Sequence, residues 1–308
     1  MNTDFIRPFF EGKRKGVQLL FLLLFMVAGT IFFSIIGGGI AYLVSGDTDQ
    51  TVIMQSPVAI WISQSFSSVG MFLLPALLFS YCQDKQFLQY NKANRKPYYL
   101  LVNVVLVLSI VLLPLVAALS PLVAALSQWN EGMRLPEALS GLQRWMDTTA
   151  AQAQQVMNVL TSRHTYGTLA VNLLVLAALP ALCEEFLFRG TVQVFLSDWL
   201  KRPHLAVWLT ALLFSLAHLQ FDGFIPRLLL GAYLGYLLLW SRSLWLPVLA
   251  HFLHNALTII ADFTLQGRGI FMDEIRFTDI KGSAMLIVTC SVITILSLLF
   301  MWKTQKDL

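Results

Sequence analysis

Inside an otherwise apolar run, Cys183-Glu184-Glu185-Phe186-Leu187-Phe188-Arg189-Gly190 sets two acids and an arginine side by side. Two later apolar runs carry Phe214 with His218, and His251 with His254 and Asn255. A charged group near the centre of a membrane helix costs at least ~2.5–3.5 kcal/mol on insertion scales, so such residues need partners and usually have a function. On a helix, Glu185 and Arg189 are four apart and share a face, so their charges can offset each other's desolvation. Glu184 then points about 100° away. A carboxylate with no arginine of its own, in a site of low dielectric, can act as a base toward water. His251 and Asn255 also share a face, and an imidazole beside an amide can donate to a developing oxyanion or hold a ligand. His218 comes from another helix, four residues after Phe214, whose ring can pack beside it.

The remaining candidates have plainer readings. His254 is read as a supporting or packing residue, and Cys183 as a small apolar side chain rather than a thiol nucleophile. His164 and His204 fall at loop or interface positions and are read as solvated. Gly231 and Gly235 form a GxxxG pair that allows close helix packing. Pro180 removes a backbone donor and leaves the Leu176 carbonyl free, which predicts a kink and a polar, hydrated cavity.

The elements that must position these groups are membrane helices. Of 308 residues, 57% are hydrophobic and 12% charged, where soluble proteins average roughly 25% charged. Apolar runs with no period-two alternation exclude a β-barrel. Runs near 17–44, 57–81, 98–126, 168–198, 204–220, 224–240, 243–262 and 284–302 predict an all-α, polytopic bundle of about eight spans. The first run is too long for a cleaved signal and is read as a retained span. The fourth is too long for one perpendicular crossing, which predicts tilt, or a break near Gly190 followed by an interfacial segment. The fifth and sixth, joined at Asp222-Gly223, predict a tight helical hairpin.

Loop charges orient the bundle. Arg7, Lys13, Arg14, Lys15, Lys85, Lys92, Arg95, Lys96, Lys201, Arg202, Arg242, Lys303 and Lys306 fall in alternate connections, against Arg134, Arg144, Arg163, Arg268, Arg276 and Lys281 in the others. That asymmetry puts both termini in the cytoplasm. The net charge of +4 thus reflects topology, and no nucleic-acid role is assigned. Three scattered cysteines make neither a disulfide framework nor a thiolate metal site. The expected divisions are a three-span region over 1–126, an extramembrane segment over 127–166, a four-span core over 167–262, and an outer loop with the last span over 263–308. Within the second, Pro136-Glu137 opens a helix with Leu139, Leu142, Trp145 and Met146 on one face, lying on the outer membrane surface. It is read as a packing element, with a substrate lid as the alternative.

The three sets match EExxxR, FxxxH and HxxxN, in that order on separate apolar helices. In this the chain resembles the CAAX proteases and bacteriocin-processing enzymes (CPBP), also called the abortive-infection or CAAX prenyl-protease-like family, over about Gly167 to Asp262. The resemblance implies an intramembrane endopeptidase in which Glu184 and His218 activate water, His251 and Asn255 stabilise the oxyanion, and Glu185 and Arg189 order the site. It implies the bilayer and a membrane-associated peptide or protein as partners, and the short basic loops suggest a bacterial inner membrane. The family is commonly called metalloprotease. Glu184, His218 and His251 would be the candidate zinc ligands, although the HExxH zincin helix is missing and a glutamate mechanism without metal fits the same residues. Two other classes are weighed against hydrolysis: a non-enzymatic immunity or scaffold protein keeping the fold, and a proton-coupled transporter, against which the lack of repeat symmetry weighs.

Overall fold

The computed structural model describes residues 9–46, 55–83, 136–219 and 224–266, with 53 and 303 singly. Among them every regular element is helical. The spans expected at 98–126 and 284–302, the Asp222-Gly223 turn and the cytoplasmic termini lie outside the described residues.

Helix α1 runs over Lys15–Ser45 and α2 over Pro57–Cys82. The surface helix α3 spans Ser140–Thr161. Helix α4 is Tyr166–Leu200, α5 is Pro203–Ala217, α6 is Phe224–Ser241 and α7 is Trp245–Gln266. By length and composition α1, α2, α4 and α7 can each cross a membrane. At 15 residues, α5 is ~22 Å long, short of a ~30 Å hydrocarbon core. It therefore delivers its C-terminal residues into the depth of the bundle. Cys82 closes α2.

The bundle is apolar outside and polar within. Val27, Ile31 and Ile35 on α1 are 58%, 56% and 70% exposed, a stripe that lipid would cover. Glu184, Glu185, Arg189, Gln193 and His251 are all buried.

Helix α4 is the central element, flanked by α2, α5 and α7, with α6 reaching its second half. It does not break near Gly190, as one of the two expectations had it. It continues to Leu200 through two π turns, Leu173–Ala178 and Phe188–Gln193. The first answers the proline: the Leu179 N–H bonds back five residues to Leu174 O immediately before Pro180. A third π turn, Val69–Leu73 in α2, precedes Pro75 in the same way, with the Leu74 N–H on Val69 O. A wide turn absorbs the missing donor within a continuing helix.

Contacts at the helix ends fix relative directions. Lys15 at the start of α1 and Lys201 after α4 both bind Asp198, and the Phe10 N–H donates to Cys82 O at the end of α2. The N-terminus of α1 and the C-termini of α2 and α4 thus lie together, on the side whose loops carry the basic excess. At the other end, Asn172 donates to Leu160 O of α3 at 2.9 Å and accepts from Trp61 Nε1 at 2.8 Å. This ties the surface helix to α2 and α4. Along α3 and the turn that leads into it the expected face divides: Met146 is buried, whereas Leu139, Leu142 and Trp145 are exposed.

Helices α1 and α2 touch backbone to backbone at Gly29 and Gly70. A Cβ on Gly29 would run into the Gly70 carbonyl oxygen, an atom that cannot swing aside. Gly29→Ala is therefore expected to lower stability by ~1–3 kcal/mol, as overpacking does, read as an earlier thermal unfolding transition in detergent.

Candidate functional site

The site grows from α4. Glu185 and Arg189, one turn apart and both fully buried, pair through Arg189 Nη1 and Glu185 Oε1 at 2.9 Å. A lone buried ion would cost several kcal/mol, so each needs further partners. Arg189 finds one in Gly231 O of α6, with Nη2 at 2.9 Å, and its guanidinium lies 4.5 Å from the centre of the Phe214 ring. Glu185 finds one in α7: Nδ1 of His251 lies 2.8 Å from Glu185 Oε1. A carboxylate only accepts, so Nδ1 carries the hydrogen and Nε2 is the free nitrogen of that ring.

Glu184, the neighbouring acid, faces α5. Its Oε2 is 3.9 Å from His218 Nε2, beyond a direct hydrogen bond. That oxygen is buried and has no hydrogen-bond partner among the described residues. A water ~2.8 Å from each atom would bridge them. His218 caps α5, where Leu219 takes a left-handed φ of 56° and stops the helix. Its Nδ1 lies 2.8 Å from Phe214 O. A carbonyl also only accepts, so a neutral His218 presents Nε2 to Glu184 as a proton acceptor.

Phe214 joins the two halves. Its ring centre is 4.9 Å from that of His218, 5.8 Å from that of His251 and 5.2 Å from that of Phe188. It lies against both histidines and covers the arginine. The glycine pair on α6 makes this packing possible, since a Cβ on Gly231 would stand 3.1 Å from Ala211 Cα and 3.2 Å from Phe214 Cδ1.

The structure thus brings Glu184 to His218, and Glu185 to Arg189 and His251. Asn255 follows His251 by one turn, is half-buried and makes no side-chain hydrogen bond among the described residues. His254 has a buried Nδ1 that is likewise unpartnered among them. His164 is exposed and stacks on Phe263 at 4.5 Å, and His204 lies 3.3 Å from the Tyr236 hydroxyl. Cys183 is fully buried.

A zinc ligand set does not assemble from these groups. Among the described residues no three His, Cys, Asp or Glu side chains converge to hold a metal ion. Glu184 and His218 face each other, but His251 has Nδ1 committed to the other acid.

One polar residue of the site went unread in the sequence. Gln193 is buried and donates through Nε2 to Gly235 O at 2.9 Å. Its signal was present: it lies four residues after Arg189, in a stretch otherwise suited to lipid.

No curated protein and no solved structure matches the chain. A family model does, described as "Type II CAAX prenyl endopeptidase Rce1-like", over residues 166–257. That stretch opens with α4 and closes in α7 two residues after Asn255, so it contains all three motifs. Residues 166–257 are accordingly similar to an Rce1-like type II CAAX prenyl endopeptidase domain, the likeness that the three motifs also carry to the family of CAAX proteases and bacteriocin-processing enzymes.

Proposed function

We propose that the protein hydrolyses a peptide bond of a membrane-associated protein or peptide by a glutamate-activated water, in the inner membrane of a bacterium. One observation carries the reading: motif residues from α4, α5 and α7 meet around one buried centre, with Glu185 2.8 Å from His251 and Glu184 3.9 Å from His218.

In this mechanism Glu184 Oε2 takes a proton from a water held between it and His218 Nε2, and the oxygen attacks the scissile carbonyl. The proton then passes to the departing amine, and His218 relays it when its Nε2 is the nearer base. The carbonyl oxygen, now negative, needs donors fixed in advance. The Asn255 amide donates in any protonation state. His251 donates through Nε2 only as imidazolium, because its Nδ1 hydrogen is already given to Glu185. Glu185 and Arg189 do not touch substrate: they hold His251 in place.

A farnesylated peptide ending in Cys-aliphatic-aliphatic-X, fluorogenic across the bond after the cysteine, tests the assignment in lipid nanodiscs beside its unprenylated twin. Cleavage in heavy-oxygen water should add one labelled oxygen to the new carboxyl. Asn255→Ala should lower kcat about 10²–10³-fold with little change in KM, as loss of an oxyanion donor does. The proposal fails if neither peptide is cut and cells with wild type or Glu184→Gln hold identical membrane peptides.

A further inference from the structure

We propose that Gln193 is a positioning residue for this site, holding the second π turn of α4 in the register that aims Arg189 and Glu185. The inference rests on the peptidase reading above for its kinetic consequence, and on geometry alone for its structural one.

Arg189 and Gln193 lie in the same π turn, Phe188–Gln193. They reach the same edge of α6 in the same way, Arg189 Nη2 to Gly231 O and Gln193 Nε2 to Gly235 O, each at 2.9 Å. Two side chains four apart thus grip two carbonyls four apart. A π turn holds one residue more than the α turn it replaces, and relaxing it would rotate one side of the helix against the other by about 100°. That rotation would withdraw Arg189 from Gly231 and Glu185, and Glu185 from His251. Gln193 closes the turn and ties its far end to a different helix. Within the turn, the Thr191 hydroxyl donates to Phe186 O at 3.1 Å, occupying a carbonyl that the wide turn leaves available.

The alternative is that Gln193 merely fills space. Its other polar atom argues against this: Oε1 is buried without a hydrogen-bond partner among the described residues. The fit there is close, since a Cβ on Gly235 would stand 2.9 Å from that oxygen and 2.9 Å from Val207 Cγ1. An unpaired acceptor in such a place is a cost that an apolar side chain of the same length avoids. Packing by itself therefore favours methionine, whereas a register role needs the amide hydrogen.

The two accounts part on Gln193→Met. The positioning role predicts a melting temperature equal to or above that of wild type, and faster amide hydrogen exchange confined to 186–193. It also predicts a kcat on the fluorogenic farnesylated peptide lower by about tenfold to a hundredfold, with KM unchanged. In Gln193→Glu only the protonated carboxyl can donate to the Gly235 carbonyl, so its activity relative to wild type should rise as pH falls. Wild-type exchange and kcat in Gln193→Met would overturn the inference, and so would a kcat loss that tracks a loss of global stability. If the wild type cuts no peptide, the peptidase reading fails instead, and local exchange alone decides whether Gln193 holds the turn.

Discussion

Glu184→Gln should lose cleavage by on the order of 10³–10⁴-fold, the upper part of the range for general base catalysis, while the protein unfolds at or above the wild-type temperature. Both halves follow from the same oxygen. Glu184 Oε2 is buried, has no hydrogen-bond partner among the described residues and lies 3.9 Å from His218 Nε2. It makes no hydrogen bond among the described residues, so an amide of the same shape removes none. The amide nitrogen, however, cannot take a proton from water. Single-turnover cleavage in nanodiscs measures the first effect and thermal unfolding in detergent the second. Activity within tenfold of wild type would mean that the base lies elsewhere. A drop in melting temperature would mean that the carboxylate has a structural duty.

Much of this site could be read from spacing alone, because helical periodicity is local. The pairing of Glu185 with Arg189 and the turn of Glu184 away from that pair follow from residues four and one apart, and the structure has both. What joins helices is less legible. Counted from the inner ends of their runs at 1.5 Å per residue, Glu184 and His218 lie ~20–24 Å deep and His251 only ~12 Å. Yet His251 touches Glu185. The difference comes from α4, which at 35 residues is ~52 Å long and overruns a bilayer core. Its inner end therefore gives no common baseline with the start of α7.

The π turns were hidden for a related reason. Each adds a residue without changing the apolar composition around it, so the overlong run admitted tilt or a break near Gly190, and a wider turn lies there. Gln193 escaped notice with it, since its partner is a backbone carbonyl on α6 and carbonyls have no letter in a sequence. The glycine pair was read correctly as close packing, but its second consequence, two carbonyls open to side chains of α4, needs the neighbouring helix to be seen.

Arg189→Met should be the most destabilising single change in the site, by ~3–5 kcal/mol, the cost of leaving one member of a buried ion pair alone. The guanidinium is fully buried, binds Glu185 Oε1 and Gly231 O, and lies against Phe214. Removing it leaves the Glu185 carboxylate with His251 Nδ1 as its one hydrogen-bond donor among the described side chains. The second change that repairs this is Glu185→Gln. Its amide oxygen can still accept from His251, yet it carries no charge to desolvate. Arg189→Met with Glu185→Gln should therefore recover most of the lost stability, a strongly non-additive pair. Recovery of activity should not follow, because a neutral amide neither holds a positive His251 nor ties α4 to Gly231. Thermal unfolding of both single variants and the double variant gives the coupling, and cleavage by the double variant gives the function. If the double variant is no more stable than Arg189→Met, the charge on Glu185 was not the problem, and the Gly231 and Phe214 contacts carry the arginine's contribution. If it regains both stability and wild-type cleavage, the ion pair is scaffolding, and the chemistry rests on Glu184, His218 and Asn255 without it.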